Sequence, residues 1–486
     1  MAKRSRLMAL LLVALMASQT LVSCGSTDNP LTGGDTTVTD TTVPEETGYE
    51  VYHDLEGLNY NGEEFTIWIG NTDSTLVMEE ETGDILDDTV YARNRSVEEQ
   101  LNIKLNMIEA AYGSTGAAQN EIATAVRGFI MSGDDSYDVY QGVQHTGYPA
   151  MINEGMFHDW NTVPNVDLTK PYWYQGAIKD INYGSKIYML TGSYSLGVMS
   201  SANCLFFNKR LLEEAQIEYP YQMVLDGTWT FDKWVQMVAD TTRDLNGDTV
   251  IDPKVDQYGY WGWGYEQVFG LFLGMGGDIV TKDNDNLPLL DVVNERNIEI
   301  IDKMNALFQM DGAAMEWTDS SIFRNTFISG NLAFLHGSLG WATGFRDMED
   351  DFGFVPYPKL DEDQENYNVR IQNTANMTYI PVTNTNLEFT GAVLEVMAAE
   401  SYNTVIPTYF DVVLTVKTTR DTESEQMVPI ILDSTSFWDS AVTSFSLTGC
   451  VKGGNALTTY YAGVQTKVED NIKTIIETYT GVKAEE

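Results

Sequence analysis

Cysteine, histidine and positive charge are all scarce in this chain of 486 residues. It holds three Cys and four His, and its 28 Lys and Arg face 71 Asp and Glu, a formal net charge of −43. So few cations exclude nucleic acid and anionic lipid surfaces as partners, because the phosphates of neither could be neutralised. His53, His145, His158 and His336 lie scattered, without the spacing of metal ligands, which sets aside Cys/His zinc chemistry. Cys204 sits in the apolar run Asn203-Cys204-Leu205-Phe206-Phe207 and Cys450 follows Gly449. Two cysteines so far apart form no framework, and two buried free thiols are expected rather than a bridge. Gly-x-Ser-x-Gly, His-Glu-x-x-His and a phosphate loop are also missing, so no familiar hydrolase or nucleotide site announces itself. A glycosidase needs only two carboxylates, and among 71 acids such a pair is not legible.

Long apolar runs are missing too. The unbroken run Leu7 to Ala17 has eleven residues, whereas a bilayer-spanning helix needs about 20. Preceded by Lys3, Arg4 and Arg6, it reads as a secretory h-region. Leu21-Val22-Ser23-Cys24-Gly25 follows directly and resembles a lipobox, whose small residues let a signal peptidase cut before a lipidated thiol. Residues 1–23 are therefore expected to be a lipoprotein signal peptide and Cys24 the lipid attachment. The protein would then face the outside of the cytoplasm, touching the membrane through its lipid alone. Residues 24–61, rich in Thr, Asp, Gly and Pro, bury too little to offset their ordering entropy and read as a flexible linker.

The remainder exceeds the ~250–300 residues that one core serves, so two lobes are expected. Phe65-Thr66-Ile67-Trp68-Ile69 reads as a strand, and Val90, Asn94, Val97 and Leu101 as the buried stripe of a helix. Ile122, Ala125, Val126, Phe129 and Ile130 mark a second helix, and Tyr137-Asp138-Val139-Tyr140-Gln141 a second strand. This alternation argues for an α/β layered fold. Later helices run from Phe231 to Asp240 with Thr230 as N-cap, through Ile298 to Phe308, through Val393 to Met397, and from Leu457 to Tyr479.

The order of these segments resembles that of bacterial extracellular solute-binding proteins of family 1, the capture components of ABC importers. Glu98 to Ile103 and the Tyr137-Asp138-Val139 strand are similar to that family's opening elements. Gly155-Met156-Phe157-His158-Asp159-Trp160, running to Pro171-Tyr172-Trp173, resembles its "G-x-F-x-D-L … P-Y-W" segment. Lys186-Ile187-Tyr188 to Phe207-Asn208-Lys209, Trp229-Thr230-Phe231-Asp232, Phe327 to Asn331, Phe354 to Pro358 and Ala398 to Tyr402 extend the match in order.

The resemblance implies a two-lobed, periplasmic-binding-protein-like (type II) fold with a ligand cleft between lobes joined by crossing strands. Lobe one is expected over 62–190 and 337–380, and lobe two over 191–336 and 381–486. Phe327-Ile328-Ser329-Gly330-Asn331 would precede the strand that returns to the first lobe. The implied function is capture of a small solute, a sugar or oligosaccharide, by hinge closure, and its delivery to permease subunits in the membrane. A monomer is expected, no cofactor is required, and a carbohydrate-active enzyme or a surface sensory co-receptor is the alternative.

Ligand-facing groups should follow strand ends. Asn71, Thr72, Gln144, His145, Tyr194, Ser338 and Trp341 do so. Their amides and hydroxyls can donate to and accept from ring hydroxyls. Tyr260-Trp261-Gly262-Trp263-Gly264-Tyr265 is the densest aromatic cluster, and its glycines suggest an exposed, sharply turned loop in which Trp261 and Trp263 stack on a sugar. Basic residues near these segments are few, which argues against a strongly anionic solute, although Arg346 and Arg370 are available. Asp244, Asn246, Asp248 and Asp252 place oxygens at positions 1, 3, 5 and 9 of a calcium-type loop, with a structural role. Thr249 stands where Gly is usual and Val255 where a carboxylate is usual, so a plain surface turn is the other reading.

Overall fold

Phe65 to Ile69 are buried on both faces of a seven-residue strand, the pattern of a strand flanked by parallel neighbours and covered by helices on both sides. The computed structural model describes residues 51–482 except 71–75, 77, 111–115, 145–146, 416–421 and 438–444. In it β1 (Glu63–Ile69) pairs parallel with β2 (Ile103–Glu109) and β3 (Val139–Val143). The first crossover helix, α1 (Ile85–Leu101), starts at Asp84, whose carboxylate accepts from the N–H of Leu86 and Asp87. It buries Val90, Asn94, Val97 and Leu101, the stripe expected from spacing, and ends at Asn102 in the left-handed conformation, φ 49°. The second, α2 (Gly116–Ser132), returns the chain to β3. A late strand, β12 (Asn376–Tyr379), closes this sheet antiparallel to β3, giving the order β12-β3-β1-β2.

A five-stranded sheet forms the second lobe. After α3 (Gln175–Ile181) the chain enters β4 (Asn203–Asn208), then α4 (Phe231–Thr241), β5 (Tyr258–Trp263) and α5 (Gly264–Gly274). The hairpin β6 (Val280–Lys282) and β7 (Pro288–Leu290) follows, then α6 (Glu295–Leu307), β8 (Ala313–Glu316), α7 (Ser320–Ile328), β9 (Leu332–Ser338) and β10 (Phe352–Val355). The sheet order is β10-β4-β9-β5-β8. Trp234 of α4 is fully buried, edge-on to Tyr260 at 4.6 Å. Thr230 caps α4 by position, but its hydroxyl makes no cap bond. The N–H of Phe231 donates instead to the carbonyl of Lys359 at 2.8 Å. Cys204 and Cys450 are both buried and unbridged.

Two of the segments that join the lobes run antiparallel to each other. Leu190 bridges Thr378 and Ala202 bridges Ile371, both antiparallel, so residues 190–202 and 371–378 cross side by side. The second directly follows β11 (Val369–Arg370) and runs into β12 (Asn376–Tyr379). The lobe boundaries differ from those expected. Segment 337–380 was expected in lobe one, and β9 was expected to lead back there, yet β9 is the central strand of the five-stranded sheet and β10 returns antiparallel to β4 within it. Segment 381–486 was expected in lobe two, yet its first helix, α8 (Leu387–Asn403), packs on α1, while the later helices Thr422–Asp433 and Leu447–Lys452 pack on β10 and α5 of lobe two. Later elements include β13 (Thr435–Ser436), paired with β11, then α9 (Leu447–Lys452) and α10 (Leu457–Thr480). Apolar runs reveal that a segment is a buried strand, but not which of two sheets it joins.

The linker is also shorter than expected. Asn403 of α8 accepts from the N–H of Val51 at 3.3 Å and donates to its carbonyl at 3.1 Å, and Tyr60 lies 4.7 Å from Phe389. The Pro-Tyr-Trp segment has a structural task. Tyr172 Oη donates to Glu395 of α8 at 2.5 Å, Trp173 Nε1 donates at 2.9 Å and the N–H of Asp167 at 3.2 Å. Burial pushes the Glu395 carboxyl above the usual range, with Tyr172 and Trp173 opposing it. One turn earlier, Gly391 admits the carbonyl of Pro164 so closely that a Cβ would lie 1.8 Å from it.

Glu395→Ala strips two buried donors of their acceptor, and we expect a loss of about 3 kcal/mol, with Glu395→Gln losing less, by urea unfolding. Burial also raises the Asp138 carboxyl, which accepts from the N–H of Thr66 at 2.7 Å, to about 6. An unfolded Asp titrates near ~3.9, so stability falls as pH rises from that value through about 6. Asp138→Asn keeps the acceptor and should stabilise the protein at pH 7 but not at pH 4; equal effects at both would refute this.

Candidate functional site

The two sheets point their strand ends at one place. On the first lobe these are the C-terminal ends of β1, β2 and β3 and the start of β12, with Asn376 opposite Val143. On the second they are the ends of β5, β8 and β9 and the start of β4, with Asn203 opposite Ser338. The crossing segment spans this junction. The N–H of Gln372 donates to Ser201 at 3.1 Å, and the N–H of Gln144 donates to Asn373 at 3.3 Å. Ligands of open α/β sheets bind outside such ends.

The junction is polar, buried and incompletely satisfied. Gln144 is 2% exposed, and neither atom of its amide has a partner. Asn203 is fully buried with both amide atoms unpartnered. His336 is fully buried; its Nδ1 pairs with Tyr357 Oη while Nε2 has no partner. Gln267, near the start of α5, donates to the carbonyl of Gly262 at 3.0 Å and leaves its own oxygen unpaired. Interiors normally satisfy such groups, and these exceptions gather at facing strand ends.

Charge there is balanced in a particular way. Arg370 is fully buried and pairs with Glu266, in the first turn of α5. Its guanidinium lies 5.1 Å from the centre of the Phe269 ring. Burial raises the Glu266 carboxyl while Arg370 lowers it. Burial, then Arg370 and Arg324, push His336 down to about 3, so its imidazole is neutral at ordinary pH. Arg346 is exposed.

Of the residues expected to face a ligand, Gln144 and Ser338 lie at the junction. Trp263 ends β5 and Trp341 follows β9 in the 3-10 turn Leu339–Phe345; both rings are half-buried. Tyr194 is in the crossing segment, fully buried, with its hydroxyl 2.6 Å from Thr378 Oγ1. Trp261 lies in the core, 5.7 Å from Tyr258 and 6.5 Å from Phe323. The expected exposed loop at 260–265 is instead the end of β5 running into α5. Its glycines serve close packing: a Cβ on Gly262 would lie 2.4 Å from that of His336, and one on Gly264 2.5 Å from the Trp317 ring. Asn71, Thr72, His145 and Cys24 lie outside the described residues. Asn203, Gln267 and the Arg370–Glu266 pair were not foreseen as a set, because only the sheet order brings them together.

A cavity of about 590 Å³ lies elsewhere, at the C-terminal end of α5, lined by Asp180, Tyr183, Asp278, Lys282 and Phe437 among others. It is ~15 Å along the helix axis from the strand ends. Lys282 Nζ, 4.8 Å from the centre of the Tyr183 ring, donates there to the carbonyls of Lys179 at 2.5 Å and Asn182 at 2.6 Å, joining the two lobes.

In the calcium-type loop, Asp244 accepts from the N–H of Gly247 and Thr249, Asn246 from Asp248, Asp248 from Val250 and Asp252 from Lys254. Among the described residues no three His, Cys, Asp or Glu side chains group as a metal site would need. Each of the four side chains thus holds a turn of the loop.

The sequence model of the bacterial extracellular solute-binding proteins matches residues 98–403. The chain belongs to this family. No curated protein matches it. Among solved structures, a cyclo/maltodextrin-binding protein complexed with maltotetraose is similar, with TM-score 0.56, 12% identity and coverage of 85% of this chain and 98% of that one. An ABC substrate-binding protein from Listeria monocytogenes in complex with cycloalternan gives TM-score 0.52, 14% identity and coverage of 85% and 99%. UgpB from Mycobacterium tuberculosis in complex with glycerophosphocholine gives 0.55, 14%, 85% and 99%. At these identities the likeness establishes the shared two-lobed fold. Like a member of an extracellular family, this solute-binding protein has no helix among its described residues long and apolar enough to cross a membrane.

Thr249 holds φ 68°, a conformation costly for a β-branched residue. Thr249→Gly should raise stability by about 1 kcal/mol in chemical unfolding with solute capture unchanged.

Proposed function

We propose that this solute-binding protein is the capture component of an ABC importer, that its solute is a carbohydrate, and that Cys24 carries the lipid that holds it to the outer face of the cell membrane. The observation that carries the reading is that buried Gln144, Asn203 and His336 hold unpartnered side-chain atoms at facing strand ends, beside the half-buried rings of Trp263 and Trp341. Amide and imidazole groups serve sugar hydroxyls, and indole faces serve the apolar C–H faces of the ring. The saccharides bound by two of the structural neighbours support this class.

The mechanism follows from the junction. A solute between the lobes contacts Gln144 on one side and Asn203 and His336 on the other only when the lobes are together. Its binding energy therefore favours the closed form, a population shift about the crossing segments. The orphaned donors and acceptors lower stability in the empty protein and regain partners when solute enters. Permease subunits would then recognise the closed state.

Thermal-shift and calorimetric titration across sugars, oligosaccharides, peptides and polyols tests the reading, since solute at 100 times Kd adds about 2.7 kcal/mol of stability. No shift with any saccharide at millimolar concentration would refute a carbohydrate ligand. Trp341→Ala and Gln144→Ala should each weaken binding about tenfold or more. For the anchor, Cys24→Ser should release the protein from the membrane fraction into the medium.

A further inference from the structure

In a chain with so large an excess of acid, two cations lie over tryptophan rings at the strand ends of the second lobe. Arg324, in α7 just beyond the end of β8, places its guanidinium carbon 3.5 Å from the centre of the Trp341 ring. Lys452, at the end of α9, places Nζ 4.4 Å from the centre of the Trp317 ring. Trp317 directly follows β8 and packs against Gly264, the first residue of α5. His336, with its unpartnered Nε2, lies beside Trp341 at 6.1 Å between ring centres.

Arg324 is held by stacking rather than by an acid. Its Nε is buried without a partner. Burial alone draws its guanidinium below the usual arginine value, with no carboxylate among the influences on it. The acids of β8, of the turn into α7 and of the start of α5 have other tasks. Glu316 accepts from the N–H of Trp317, Thr318 and Asp319; Asp319 accepts from that of Ser321; Glu266 is paired with Arg370. A guanidinium laid on an indole keeps its edge free and preset, and that planar fork matches a carboxylate in bidentate fashion. Leaving it partly buried and unpaired is unfavourable unless an anion arrives.

We propose that the solute carries a carboxylate and that Arg324, preset on Trp341, reads it, so that the captured carbohydrate is an acidic, uronate-containing saccharide rather than a neutral one. This rests on the capture of a saccharide at the facing strand ends. It departs from the expectation drawn from the scarcity of basic residues near the candidate loops, which left Arg324 out. Lys452 on Trp317 extends the same positive rim and adds long-range attraction for the anion.

The test compares glucuronate- and galacturonate-containing di- and trisaccharides with the same molecules after reduction of the carboxyl to the alcohol, by calorimetry at low and high salt. Sulfated saccharides form a third arm, separating a planar carboxylate from any anion. The expected result is a preference of about 10- to 100-fold for the carboxylate form, weakened by salt, and weaker binding of the sulfated form. Arg324→Gln should abolish the preference while its melting temperature without ligand shows it folded, and Arg324→Lys should retain part of it. Equal affinity for acid and reduced forms, a stronger response to sulfate, or a preference that survives Arg324→Gln overturns the inference. Binding of only the reduced forms overturns it while leaving saccharide capture intact; binding of neither form overturns both.

Discussion

The antiparallel contact between residues 190–202 and 371–378 is the constraint on which the remaining architecture depends. Leu190 on Thr378 fixes the pair to the four-stranded sheet, and Ala202 on Ile371 fixes it to the five-stranded one. Because each segment leads directly into a strand, β4 in one case and β12 in the other, the sheets are set by the same few residues. Their C-terminal ends meet for that reason. Every group assigned to solute sits within a few residues of a strand end whose position this contact determines.

Around it, the lobes use their buried polar groups in two ways. Glu395 gathers Tyr172, Trp173 and the backbone of Asp167, a satisfied network that binds α8 to the irregular segment before α3. Gln144, Asn203 and His336 are equally buried, yet hold atoms that bond to nothing. The first arrangement makes a lobe rigid. The second makes the junction between lobes costly to leave empty. Hydrogen bonds of the same chemical type thus divide structure from function by whether they are completed within the chain.

Much of this was legible in the sequence, and the limits have physical causes. The 3.6-residue stripe of Val90, Asn94, Val97 and Leu101 and the apolar run of β1 appear where spacing placed them, because periodicity reports burial directly. Gln144, Ser338 and Trp341 were reachable because they follow strands, and Trp263 because it stands in a dense aromatic cluster. Trp261 was misread because Gly262 and Gly264 suggested a turn, whereas they make room for His336 and Trp317 from neighbouring strands. The lobe boundaries failed for the same reason: β9 and β10 are locally indistinguishable from strands of the other sheet. Arg324 carries no local signal at all, and only α7 lying along β9 brings it onto Trp341.

The hydroxyl of Tyr194 gives the hinge its mechanical character. It meets Thr378 Oγ1, which also receives Gln141 Nε2, while the carbonyl of Tyr194 receives Arg93. The crossing segment therefore travels with the first lobe as far as residue 194 and with the second from about residue 201. Within this segment only the few residues between them are left to turn, and a joint that short favours rotation over sliding.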